Sequence, residues 1–184
     1  MKRHTTTAGR SAGQAKPSAK KLERFLDAAM RFGARGAKIV RPTDVVTGSW
    51  VRWKCQFGCG GFNSSRTCPP HSPTPEQTRK MLDEYEHGIL FEAPGNTTKK
   101  IAVKLEREVF LAGHYKALGL GSGPCSLCDE CAFEGGCRHP DQARPAMEAC
   151  GIEVFATARK HGFAIEVVRS RKDPQHYFGL VLIE

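Results

Sequence analysis

Apolar residues recur at helical spacing in the first half of the chain. Over residues 22–30 they fall at i, i+3, i+4, i+7 and i+8, which predicts an amphipathic helix that Gly33 terminates. Residues 74–77 are Thr-Pro-Glu-Gln, with a capping threonine, a proline at the first helical position and a glutamine that completes a capping box. We expect this second helix to run to about His87.

Two further helices are predicted in the later part of the chain. One covers residues 98–118, where the apolar side chains form a single stripe, and it ends at a glycine-rich segment. The other opens at Pro145 and continues to Gly162, with an interruption at Gly151.

Short apolar runs between these helices predict strands. They cover residues 37–47, where Pro42 introduces a bend, residues 89–91, and residues 164–169 and 177–183 near the end of the chain. The Lys-Asp-Pro sequence between the last two runs predicts a turn, so we expect them to form an antiparallel hairpin. The expected fold is a mixed α/β (α+β) single domain with roughly four strands.

Two long segments with little predicted secondary structure carry seven of the eight cysteines. The first covers residues 54–73 and the second covers residues 125–143. Loops of this length in a compact domain are usually functional. We therefore expect two cysteine-bearing loops on a single metal-binding domain formed by residues 22–184.

The positive charge of the chain is concentrated at its N-terminus. The chain has 28 lysines and arginines against 19 acidic residues, and residues 1–21 alone supply six of its nine net positive charges. This segment has almost nothing to bury, which predicts a disordered basic tail. The rest of the chain has no helix-turn-helix, RNA-recognition or paired-finger motif, so we do not expect nucleic acid as a partner.

The apolar content also bears on location. The longest apolar run, residues 180–183, is far too short to cross a bilayer, and residues 1–21 lack the apolar stretch of a secretory signal. We therefore expect a cytoplasmic protein without membrane association. In a reducing compartment, eight cysteines are more often metal ligands or reactive thiols than disulfides.

The spacing of the cysteines favours an iron–sulfur cluster over zinc. The second loop contains the run C-x2-C-x2-C, formed by Cys125, Cys128 and Cys131, and then Cys137. Three closely spaced thiolates suit a cube in which each sulfur binds a different iron, as in bacterial ferredoxins. Zinc more often takes two separate pairs of ligands, and it stays the alternative cofactor.

The eight cysteines divide into two sets of four, enough for two [4Fe–4S] clusters. We assign the four cysteines of the second loop to one cluster. We assign Cys55, Cys59 and Cys68 from the first loop, with Cys150 from the following helical stretch, to the other. Two alternatives stay open: the sets are crossed, as in two-cluster ferredoxins, or Cys150 is a buried apolar residue and one iron lacks a fourth thiolate.

Residues beside the cysteines suit such a site. Glycines flank the candidate ligands and allow backbone N–H groups to point at sulfur. His71 and His139 are candidates for metal ligation or proton relay, with hydrogen bonding within the loop as the ordinary alternative. Four basic residues can offset the negative charge of a cluster: Lys54, Arg66, Arg138 and Arg144.

Four motifs resemble those of a family of predicted metal-binding proteins of unknown function in bacteria and archaea. They are K-C-x3-C at residues 54–59, C-P-P-H-x-P at 68–73, G-P-C-x2-C-x2-C at 123–131 and R-P-x-M-E-x-C-G at 144–151. The resemblance covers roughly residues 22–184. The resemblance implies metal binding, with an iron–sulfur cluster favoured, and it supports Cys150 as a ligand. It implies no particular reaction.

Three functions are compatible with such a site. The leading hypothesis is a small iron–sulfur protein that passes electrons to or from an unknown redox partner. The alternative is an enzyme in which an open iron acts as a Lewis acid on a small molecule, assisted by His71 or Arg144. The third is a structural module, zinc or cluster, whose loops fold only around metal.

Overall fold

The structure is a computed structural model that describes residues 19–184. Most of the predicted basic tail, residues 1–21, therefore lies outside the described residues. Its last three residues belong to the first helix, which begins at Ala19 rather than at Leu22. Alanine and lysine are strong helix formers, so the amphipathic helix extends by most of a turn.

Within the described residues, five α-helices and four β-strands form a mixed α+β domain, which confirms the predicted fold class. Among these residues, none of the helices has the length and apolarity that a membrane crossing requires. The helices are α1 (Ala19–Arg31), α2 (Ser49–Gly58), α3 (Pro75–Leu82), α4 (Thr98–Leu111) and α5 (Val154–Lys160), and the strands are β1 (Gly36–Val40), β2 (Gly88–Ala93), β3 (Leu118–Leu120) and β4 (Tyr177–Leu182).

The four strands form one antiparallel sheet in the order β1-β2-β4-β3. Leu90 of β2 pairs with Leu180 of β4, which in turn faces Leu120 of β3. Ile89 and Phe91 point to the core that contains α1 and α4, whereas Leu90 points to a second core on the opposite face. Because both faces are covered, the central strands are apolar at almost every position.

The predicted hairpin between residues 164–169 and 177–183 is wrong, because only the second segment forms a strand. That strand, β4, already pairs with β2 on one edge and β3 on the other. Residues 164–169 therefore find no free edge on β4, and they run irregularly over the second core, where Ile165 is buried.

Two predicted helices are shorter than expected. The second ends at Leu82 instead of His87, because the backbone N–H groups of Glu86 and His87 donate to the carbonyl of Glu184. Its capping box at Thr74 is confirmed. The third ends at Leu111 instead of residue 118, because the chain turns at Gly113, where φ is +100°, and β3 begins at Leu118.

Two local features set the position of the cysteines. Cys55 lies near the end of α2 rather than in a loop, because residues 49–58 form a helix that the sequence did not predict. The helix predicted from Pro145 is a 3-10 turn, Glu148–Cys150, followed by α5. Gly151 separates them with a φ of +76°, and a Cβ on Gly151 would overlap the ring of Pro75. Only glycine fits this left-handed, crowded position.

Candidate metal centre

The four cysteines of the second loop lie around one cavity. Cys125, Cys128, Cys131 and Cys137 all line this cavity, whose volume is about 130 Å³. Cys137 is exposed and the other three are partly buried. We call this group the four-cysteine site. The irregular backbone of the loop allows four side chains close in sequence to turn towards the same space.

Three cysteines of the first segment line a second, larger cavity of about 420 Å³. Cys55 lies on helix α2, and Cys59 is the residue that caps the end of that helix. Cys68 lies farther along the chain, in a turn where its N–H donates to the carbonyl of Ser65. A Cβ on Gly61 would lie 3.5 Å from the sulfur of Cys59 and 3.7 Å from that of Cys68, which are ordinary contact distances, so both sulfurs lie beside the backbone of this glycine. We call this group the three-cysteine site.

Arg52 holds the walls of the three-cysteine site together. Its Nη1 donates to the carbonyl oxygens of Ser72 (2.9 Å), Pro73 (2.6 Å) and Ala149 (3.3 Å). The hydroxyl of Ser72 also donates to the carbonyl of Ala149, at 2.6 Å. The arginine therefore ties α2, the segment after Cys68 and the 3-10 turn into one rigid frame.

Backbone N–H groups point at cysteine sulfurs in both sites. Gly61 donates to Cys59, Arg66 donates to Cys131, and His139 donates to Cys137, each with a donor–sulfur distance of 3.4 Å. The first of these bonds comes from a flanking glycine, as the sequence predicted. N–H to sulfur bonds favour the thiolate form of cysteine and tune the potential of a bound cluster.

The two sites contact each other through Arg66 and His71. The backbone of Arg66 reaches Cys131, and its guanidinium donates to the carbonyl of Phe133 at 2.8 Å. His71 lies 4.8 Å from the ring of Phe133 between centroids, and its Nε2 is 2.9 Å from the side-chain oxygen of Asn63. His71 thus makes the hydrogen bond of an ordinary loop histidine and helps to join the two segments.

Lys99 lies between the two sites. Its Nζ is buried, and no hydrogen-bond partner for it exists among the described residues. Burial lowers the pKa of this ammonium group, whereas Cys125, Cys68 and Glu148 raise it. One cation therefore acts on a cysteine of each site.

Cys150 points away from the cavity of the three-cysteine site. It is 2% exposed and packs in the second core with Met147 and Ile152. Burial raises the pKa of its thiol to about 12. Its neighbour Glu148 lines the cavity instead.

A family model matches residues 38–183 of this chain, and its description is predicted metal-binding protein (DUF2284). The chain belongs to this family. No curated protein and no solved structure matches it. Membership supports metal binding by a domain in which seven cysteines gather in two sets.

Each cavity takes its cysteines from one segment of the chain. This lining is compatible with the uncrossed assignment, which stays a prediction. The role of the cysteines as ligands stays a prediction too. Within residues 19–184, no three Cys, His, Asp or Glu side chains converge on one point as the ligands of a single ion do.

Sequence reasoning missed Arg52, Lys99 and Glu148. Glu148 stands inside the R-P-x-M-E-x-C-G motif, so its place in that motif was an available signal. Lys99 is one of two consecutive lysines near the start of α4, and Arg52 lies in a helix that was not predicted. Tertiary packing alone brings these two residues to the site.

Arg144 forms a close ion pair instead of facing a cluster. Its Nε and Nη2 donate to the two carboxylate oxygens of Glu106 at 2.6 and 2.7 Å, and both side chains are about 15% exposed. Glu106 also accepts the N–H of Gly119 at 2.7 Å. The pair thereby fixes the end of the second cysteine loop against α4 and β3.

We expect Arg144→Met to lower the free energy of unfolding by about 3 kcal/mol, because it leaves the carboxylate of Glu106 enclosed without its cation. Urea denaturation measures this loss. Arg31→Met is the matched control, since the pair of Arg31 with Glu108 is exposed to solvent and contributes at most about 1 kcal/mol. Equal losses in the two variants contradict the prediction.

Proposed function

We propose that this protein holds an iron–sulfur cluster at each of its two cysteine sites and passes electrons through them to a redox partner. The observation that carries the proposal is the gathering of Cys125, Cys128, Cys131 and Cys137 around one small cavity, with N–H donors directed at two of the sulfurs. Soft thiolates in a C-x2-C-x2-C run are the ligands that iron–sulfur clusters prefer.

The size of the two cavities supports clusters over single ions. Each is several times larger than the roughly 30 Å³ that a water molecule occupies in the liquid. The thiolates of a cube bind different irons and so lie farther apart than the four ligands of one zinc ion. When bound, a cluster supplies an electron carrier, and the chain's own N–H groups and cations set its potential.

The contacts between the sites support electron transfer. Pro124, which precedes Cys125, lies 3.1 Å from the position that a Cβ on Gly61 would occupy. Arg66 joins the two segments, and Lys99 acts on a cysteine of each site. The exposed Cys137 places the four-cysteine site at the surface, where a partner protein can approach it.

Anaerobic purification followed by metal and sulfide analysis tests this proposal. We expect about eight iron atoms and about eight acid-labile sulfides per chain, broad visible absorption and an EPR signal after reduction. Zinc at a similar ratio, without sulfide or visible absorption, contradicts the proposal and favours the structural zinc alternative.

A second function, chemistry on a small molecule, is favoured by the cavity at the three-cysteine site. At about 420 Å³ it falls in the usual range of ligand pockets, and its lining also includes Phe155, Tyr177 and Phe178. Only three cysteines border it. Azide, a small anion that binds accessible iron, should change the EPR signal of this centre if the function is enzymatic. An unchanged signal favours the electron carrier.

A further inference from the structure

Glu148 presents a buried carboxylate oxygen that has nothing to bind. Its Oε2 is inaccessible to solvent, and among the described residues no hydrogen-bond partner for it exists. Yet the residue borders the same cavity as Cys55, Cys59 and Cys68. Burial raises the pKa of this carboxyl, whereas its own backbone N–H and Lys99 lower it. A carboxyl group buried in this way is neutral unless it is paired or coordinates a metal.

The 3-10 turn separates Glu148 from Cys150. Residues of a 3-10 helix follow one another at about 120°, so residues two positions apart point in different directions. Here Glu148 faces the cavity, whereas Cys150 packs with Met147 and Ile152 in the second core. Only one of these two side chains therefore borders the three-cysteine site.

Glu148 and the three cysteines border the same cavity. The pKa of the Cys55 thiol is raised by burial, and then by Cys59, Glu148 and Cys68. Three thiols and one carboxyl are thus gathered there, with Arg52 acting on Cys55 and Lys99 acting on Glu148. A bound metal cation would replace the protons of these groups and so offset the repulsion among their ionised forms.

We propose that Glu148 is the fourth protein ligand of the metal centre at the three-cysteine site, in the place first assigned to Cys150. This inference rests on the proposed function, since it names the ligand set of one of the two clusters. Three thiolates hold three irons, and the carboxylate holds the fourth.

The ligand set distinguishes this fourth iron from the other three. Carboxylate oxygen is a harder ligand than thiolate and suits iron less well. An oxygen or nitrogen donor that enters the cavity can therefore displace the carboxylate from that iron more easily than it can displace a cysteine. A small molecule could therefore reach this iron, as the second candidate function of the same site requires.

Iron retention during oxidation tests the inference in the full-length, anaerobically reconstituted chain. Ferricyanide takes one electron from a four-iron cluster, and a poorly held iron leaves as Fe²⁺, so that a three-iron cluster remains. We expect Glu148→Gln to fall from about eight to about seven irons per chain under this treatment and to show a three-iron EPR signal. The wild type should retain its iron.

Two further variants complete the test. Glu148→Cys restores a ligand and should retain all iron, whereas Cys150→Ala should behave as the wild type. The signal of the four-cysteine centre reports folding in each variant. Retention of iron by Glu148→Gln, or loss of iron from Cys150→Ala, overturns the inference.

The outcomes separate this inference from the function on which it rests. A wild-type chain that binds no iron contradicts the proposed function itself. A wild type with two clusters and a Glu148→Gln variant identical to it contradicts only the ligand assignment.

Discussion

Cys128→Ser should remove about half of the iron from the chain and leave the second cluster intact. Cys128 lines the cavity of the four-cysteine site, together with the other cysteines of its own loop. A serine hydroxyl replaces the thiolate poorly on iron, because clusters prefer soft ligands. Iron should therefore fall from about eight to about four atoms per chain, with the sulfide content falling in parallel.

Cys59→Ser is the matched variant for the other site. Cys59 borders the larger cavity with Cys55 and Cys68, so its loss should spare the EPR signal that Cys128→Ser removes. The two variants should thus show complementary spectra. Their sum should reproduce the spectrum of the wild type, apart from any magnetic interaction between the clusters.

Cys137→Ser distinguishes uncrossed from crossed cysteine sets. The sequence left both arrangements open, and the structure places Cys137 on the cavity of Cys125, Cys128 and Cys131. We therefore expect Cys137→Ser to reproduce the spectrum of Cys128→Ser. A spectrum like that of Cys59→Ser contradicts this grouping and means that the sets are crossed.

The grouping of the cysteines could be predicted from the sequence because it is local. Cys125, Cys128 and Cys131 lie within seven consecutive residues, so almost any fold of that loop keeps them together. The capping box at Thr74 was predictable for the same reason, since all its contacts lie within four residues. Local patterns of this kind survive whatever the tertiary structure does.

Features that depend on distant partners could not be predicted in this way. The apolar pattern of residues 164–169 suits a strand, but β2 and β3 occupy both edges of β4. Cys150 has the spacing of a ligand, yet the 3-10 turn directs it into the core and directs Glu148 to the cavity. Lys99 comes from a helix whose sequence contains no cysteine, and only packing places it between the two sites.

Lys99→Met should lower the reduction potentials of both clusters. The Nζ of Lys99 is enclosed, and its charge acts on Cys125 of one site and Cys68 of the other. A positive charge stabilises the reduced, more negative form of a cluster, so its removal makes reduction harder. For a unit charge within about 10 Å at an effective dielectric constant of about 20, the loss is on the order of 1–2 kcal/mol, which is several tens of millivolts for one electron.

Redox titration monitored by EPR measures both shifts in one sample. Lys99→Arg keeps the charge and should stay close to the wild type. Lys100→Met is the matched control, because Lys100 is the next residue of α4 and is exposed, so solvent screens its charge. Because Lys99 also acts on the buried carboxyl of Glu148, urea denaturation of Lys99→Met distinguishes a loss of stability from a shift in potential. If Lys99→Met and Lys100→Met have the same reduction potentials, the role of Lys99 is contradicted. If the potential of only one cluster shifts, Lys99 acts on that site alone.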